Sequence, residues 1–204
     1  PRYAGQMTRS PSRHPSRTSL TALAAATVLG LSACATTDTP PPQDETSGDG
    51  QTLAQLTQTL DGIEGLTFSR VDGSERNIKG NSGFTVDVTL DPGYQLDDPE
   101  ALVTFLVEAA WSVDDRTMPN TSVEIGYQGI VGDGIDLGEA AKQSGWVASE
   151  ARTGDVSPEG FSRVSIPVAD YAVDNGVPET VDRLGEWPGE PPAVPDGLTS
   201  PREG

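Results

Sequence analysis

The side chains able to act as nucleophile, base or transition-metal ligand are few. In 204 residues there is one Cys (Cys34) and one His (His14), and the only lysines are Lys79 and Lys142. A Ser-His-Asp triad, a Cys-His pair, an HExxH zinc site, a Cys/His zinc cluster and a His-ligated haem all need imidazoles or thiolates, and the sequence after Cys34 holds neither. Neither lysine lies in an S-x-x-K arrangement, since Arg76 and Glu139 stand three residues ahead of them. No phosphate-binding G-x-x-x-x-G-K loop, dinucleotide G-x-G-x-x-G turn or G-x-S-x-G nucleophile elbow is present. Carboxylates, by contrast, abound: 31 Asp and Glu stand against 13 Lys and Arg.

Three carboxylate groups merit weighing. Asp97 and Asp98 with nearby Asp91 offer oxygen ligands for Ca²⁺, as do Asp133, Asp136 and Glu139, although the latter lack the order and the twelfth-position Glu of an EF-hand loop. Helix capping accounts for Asp98 and Asp136 without a metal, so no cofactor or metal is expected. Asp87 and Glu124 fall on polar positions of two alternating segments, where they form either an acid/base pair of the kind that hydrolyses glycosides or a solvated sheet face.

A different pattern marks the segment 98–113. Glu100, Thr104, Glu108, Trp111 and Asp115 are spaced by four, four, three and four residues, which confines them to one arc of a helix. The spacing predicts that Trp111 sits on the polar side, with Glu108 and Thr104 beside it, as a ligand platform or a partner's anchor point. The alternative is that the following loop or the proline-rich end of the chain covers the indole.

The elements that must position these residues follow from periodicity. Leu53, Leu56, Leu60 and Ile63 give a helical stripe. Residues 66–71, 84–90, 121–128 and 162–168 alternate apolar and polar, as half-buried strands do, with Pro167 suggesting a sheet edge. Asp98-Pro99-Glu100 opens the 98–113 helix with a cap, a proline at the first position and acid in the first turn. Asp136 to Glu139 has capping-box spacing for a short helix ending at Gly145, and 178–184 is a short closing helix. One-sided strands interspersed with helices predict an α+β two-layer sandwich, an antiparallel sheet with helices on one face, the ferredoxin-like arrangement being one form of it. The folded part spans 51–185, enough for one core without disulfides. The proline-rich tail 186–204 is expected to lack regular structure.

The N-terminus reads as an address. Residues 1–6 precede the first Met and are expected to lie upstream of the true start. From 7 to 33 a basic stretch (Arg9, Arg13, His14, Arg17) leads into an apolar run from Leu20, too short to span a bilayer, and closes on Leu31-Ser32-Ala33-Cys34. That tetrad resembles the lipobox of bacterial lipoproteins. The resemblance implies that Cys34 takes a diacylglycerol thioether, that cleavage precedes it, and that residues 34–50, rich in Thr, Pro and Asp, form a tether. It further implies a protein anchored through lipid on Cys34 to the outer face of the cytoplasmic membrane. Together with Ala109-Ala110-Trp111-Ser112, Gly145-Trp146 and Leu184-Gly185-Glu186-Trp187-Pro188-Gly189, the pattern resembles small lipoproteins of high-GC Gram-positive bacteria, a resemblance that brings no activity with it.

Charge sharpens the exclusions. The formal net charge is −18. All 31 acidic residues follow Cys34 and four of the 13 basic ones precede it, which leaves −22 on the segment from Cys34 onward. Such a surface argues against nucleic acid or anionic lipid as partners, because phosphates brought against it gain no counterion release. The expectation is a non-catalytic binding or interaction module with a protein or cell-wall partner, set against a carboxylate-based or metal-assisted envelope hydrolase.

Overall fold

The computed structural model describes residues 50–154 and 156–203, so Cys34, His14, the signal segment and all but the last residue of the tether lie outside the described residues. Thr52 opens α1 (Leu53–Asp61) with a reciprocal cap: its hydroxyl accepts the Gln55 N–H while the Gln55 side chain accepts the Thr52 N–H at 2.7 Å. The buried side of this helix is the Leu56/Leu60 stripe.

β1 (Leu66–Gly73) and β2 (Gly83–Leu90) form an antiparallel hairpin with a register shift between Phe68 and Arg70. β3 (Tyr94–Leu96) precedes α2 (Pro99–Trp111), in which Asp98 accepts the Ala101 N–H at 2.8 Å, as its capping role predicts. Then come β4 (Ser122–Gln128), α3 (Leu137–Gln143) capped by Asp136, β5 (Phe161–Pro167), α4 (Ala169–Asp174), α5 (Glu179–Leu184) and β6 (Thr199–Pro201). The main sheet has the order β1-β2-β4-β5. Phe84, Val86 and Val88 of β2, Val123, Ile125 and Tyr127 of β4, and Val164 and Ile166 of β5 point to one face and join the buried residues of α1, α2 and α3 in a single core. The architecture is thus a two-layer α+β sandwich, with Thr85, Asp87, Glu124, Arg163 and Ser165 on the open face.

Two expectations are corrected. The sheet is mixed, not antiparallel throughout, because β2 and β4 pair in parallel from Gly83↔Ser122 to Thr89↔Gln128. A chain cannot enter a neighbouring strand in the same direction through a tight turn; it needs a crossover, and α2 is that crossover. The unit β2-α2-β4 therefore has adjacent parallel strands, unlike the split arrangement of a ferredoxin-like sheet. Second, the segment after 185 carries regular structure. β6 pairs with β3, Asp97 donates its N–H to the Leu198 carbonyl at 2.9 Å, and Leu198 is buried. Gly65, at φ +79°, permits this closure: a Cβ there would stand 2.6 Å from the Tyr94 ring, the residue that leads β3.

Candidate functional site

α2 is apolar on most of its circumference, with eight of its residues buried, and beyond Pro99 and Ala101 in its first turn the Glu100/Thr104/Glu108 stripe is what remains half-exposed. The structure brings the three sequence-predicted residues into one groove. Thr104 and Glu108 line a hollow of about 320 Å³ walled by Pro192 and Pro195, and Glu108 and Trp111 line an adjoining one of about 380 Å³ that Arg183 and Pro191 complete. Its roof is the proline-rich segment that the sequence left as a tail. Prolines hold that strap extended and donate no backbone N–H, so it lies across α2 with few backbone bonds: Gly189 donates to the Trp111 carbonyl at 3.4 Å.

For Trp111 the structure takes the second of the two alternatives, cover by the proline-rich end of the chain. It is only 5% exposed, and its indole packs under Gly189, where a Cβ would stand 3.0 Å from Cδ1. The helical arc was read correctly, but the strap covers it, so Trp111 is no open platform. Its Nε1–H is buried and, among the described residues, finds no acceptor. Such a donor costs about 1–3 kcal/mol to keep dry. Thr104 is not free either: its hydroxyl accepts the Trp146 Nε1–H at 2.9 Å.

Trp146 and Arg183 are the residues sequence reasoning missed. Trp146 is fully buried at the end of α3, and the Arg183 guanidinium of α5 lies 3.6 Å from its ring centroid while donating to the Ser144 carbonyl at 2.9 Å. The Gly145-Trp146 dipeptide was the available signal; nothing in the spacing ties it to Arg183. Burial holds the Glu108 carboxyl above the usual range, and Arg183 pulls it part of the way back. Burial also lowers the Arg183 guanidinium, with Glu108 opposing. The groove therefore presents the carboxylates of Asp98, Glu100, Glu108 and Glu190 and the single guanidinium of Arg183 against proline walls, with an unsatisfied indole N–H behind them.

The sign of the Glu108 shift gives a test. A carboxyl whose folded pKa is raised stabilises the fold only while protonated, and that contribution is lost as pH rises from its unfolded value, about 4.3, through its folded one. Glu108→Gln is expected to be neutral at pH 3 and stabilising by less than about 1 kcal/mol at pH 7, measured as urea midpoints at both pH values. A destabilised variant at pH 7 would show that the Arg183 attraction outweighs burial.

The other carboxylate groups resolve into structure. Asp87 and Glu124 are both held by Arg163, at 3.1 and 3.3 Å. Gly126 makes this possible, since any Cβ there would collide with the Asp87 carboxylate. Both carboxylates are thus engaged by one guanidinium on the open face of the sheet. Asp133 accepts the Ile130 and Ile135 N–H groups at 2.8 and 3.2 Å, and Asp136 accepts those of Gly138 and Glu139. Asp91 accepts from Thr67, and Asp97 from Gln95. Among the described residues no three His, Cys, Asp or Glu side chains converge as metal ligands, and no helix is long and apolar enough to cross a membrane.

Fold and groove together define a small α+β domain with a strap-roofed cleft on its helical layer. No protein-family model, curated protein or solved structure matches the chain.

Proposed function

We propose that this chain is a lipid-anchored extracytoplasmic binding module, tethered through Cys34 to the outer face of the cytoplasmic membrane, that takes a segment of a protein or cell-wall partner in the groove over α2. The anchoring half rests on the ordered basic stretch, apolar run and Leu31-Ser32-Ala33-Cys34 tetrad. The binding half rests on one observation: Glu108 and Arg183 flank a hollow beside the buried, acceptorless indole N–H of Trp111. Several carboxylates, one guanidinium and proline walls suit an amide-bearing ligand that both donates and accepts hydrogen bonds. The hydrolase reading has less support, because Arg163 occupies the carboxylate pair it would use.

Each half has its own test. Cys34→Ala is expected to abolish membrane retention; a variant that still fractionates with membranes after a carbonate wash overturns the anchor. For the groove, muropeptide fragments titrated onto the chain should change tryptophan emission saturably, through Trp111 and Trp146, and Arg183→Ala should remove the change. No saturable response at millimolar fragment, or a response indifferent to Arg183→Ala, sinks the assignment of the groove to cell-wall peptide.

A further inference from the structure

The β1–β2 hairpin ends in a loop, residues 74–82, whose tip bears Ile78 with its side chain wholly in solvent, at 103% relative exposure. No other exposed large apolar residue of the described chain approaches this value; Val131 comes next at 71%. Arg76 and Lys79 flank it. Among the described residues neither has a carboxylate within ion-pair distance, and the nearest acid in sequence, Glu75, accepts instead from the Thr117 hydroxyl at 3.3 Å. In a chain so acidic, the tip is a local cationic site with an apolar point.

Its position in the fold gives that chemistry a direction. The described chain begins at Gly50, and Gln51 exchanges backbone hydrogen bonds with Ser112 and Asp114 at 2.8 and 3.0 Å, while Asp115 accepts the Leu53 N–H at 2.9 Å. The same run of residues continues to the hairpin: Arg116 pairs with Asp72 at 3.2 Å and Asn120 donates to the Gly80 carbonyl at 2.9 Å. Residues 112–120 thus join the point where the tether arrives to both arms of the hairpin. The tip projects from the end of the domain that the tether enters.

We infer that this tip is a membrane-contact site, in which Ile78 enters the headgroup region of an anionic bilayer while Arg76 and Lys79 meet lipid phosphates. This inference rests on the tethered orientation proposed above. The overall negative charge does not forbid it, because repulsion from the remaining surface is screened over about 8 Å at physiological salt. A cation at an anionic bilayer contributes roughly a fivefold gain in partition, so the two together contribute about 25-fold.

The test uses the full chain carrying Cys34→Ser, which frees the sequence of native thiols, with Ile78→Cys labelled by an environment-sensitive fluorophore. Vesicles of phosphatidylcholine with phosphatidylglycerol are compared with phosphatidylcholine alone, and a label at Val131→Cys serves as reference. The expected result is a blue shift at position 78 on the anionic vesicles, none at position 131, and its loss in Arg76→Gln/Lys79→Gln. Co-sedimentation reports attachment through the N-terminal apolar run separately. Chains that pellet without a shift at 78 overturn the tip contact; the Cys34 anchor, which this variant lacks, is not touched by that result. Equal shifts at 78 and 131, or on neutral and anionic vesicles, overturn it as well, whereas failure of the anchor is read from the Cys34→Ala fractionation.

Discussion

Trp146→Ala is expected to lower stability by about 3–5 kcal/mol, the range for truncating a fully buried aromatic. Three separate contacts converge on this side chain. Its ring is at 0% exposure in the core, its Nε1–H is donated to Thr104 on α2, and its face carries the Arg183 guanidinium from α5. Removing it leaves a cavity where α2, α3 and α5 meet. Trp146→Phe keeps most of the volume but leaves Thr104 without that donor and gives Arg183 a weaker face, so a smaller loss of about 1–2 kcal/mol is expected. The stacking itself is read from a double-mutant cycle of Trp146→Phe with Arg183→Ala, where a coupling of about 0.5–1 kcal/mol is expected at this half-exposed site. Arg183→Lys should not restore it fully, because a compact ammonium cannot lie flat on the ring and reach the Ser144 carbonyl as well. Urea midpoints measure all five variants, the double mutant included; a Trp146→Ala midpoint near that of the parent chain would show that the α3–α5 junction is not part of the cooperative core.

How much of this was legible in the sequence depends on the range of the signal. Local patterns carried through. Asp98-Pro99 and Asp136 cap α2 and α3, the alternation in 84–90 and 121–128 gives the buried faces of β2 and β4, and the Leu53/Leu56/Leu60 stripe gives α1. Each of these is decided by neighbours within a turn or two of chain. β3 and β6 are three residues each, too short for any period to show, and they pair across about a hundred residues. Strand direction was misread for a related reason: alternation tells which face a residue occupies but not which way its neighbour runs. The helix between β2 and β4 was the clue, since a crossover of that length makes parallel pairing available.

The candidate site divides along the same line. The arc of Thr104, Glu108 and Trp111 on α2 is a property of one helix and was readable from spacing. What stands above it was not, because a proline-rich run has no hydrophobic period to announce that it packs. Hence Trp111 was placed on the right face with its cover left open between a ligand and the proline-rich end of the chain, and Arg183, on a six-residue helix some 80 positions away from Thr104, had no sequence pattern linking it to the groove.

The strap leads to the second large effect. A chain shortened to end at Gly185 is expected to lose on the order of 5 kcal/mol, comparable to the whole stability of a marginal domain. The estimate follows from what the deletion uncovers or removes. Trp111, now 5% exposed, loses its cover, and Leu198, at 3%, loses its place in the core. Fully exposing a large apolar side chain costs about 1.5–3 kcal/mol each. β3 loses its strand partner β6, and with it the bond from the Asp97 N–H to the Leu198 carbonyl just ahead of the α2 cap. One contribution runs the other way: the Trp111 indole N–H regains water, which returns part of the cost of its unpaired burial. A milder variant separates closure from unfolding. Leu198→Ala keeps the strap and its backbone bonds but removes a buried side chain, and about 2–4 kcal/mol is expected from it. If Leu198→Ala is costly and the shortened chain still folds with red-shifted Trp111 emission, the strap is a stabilising roof over a domain that stands without it. If the shortened chain has the urea midpoint of the parent, the segment after 185 contributes nothing to the fold and the groove has no fixed roof.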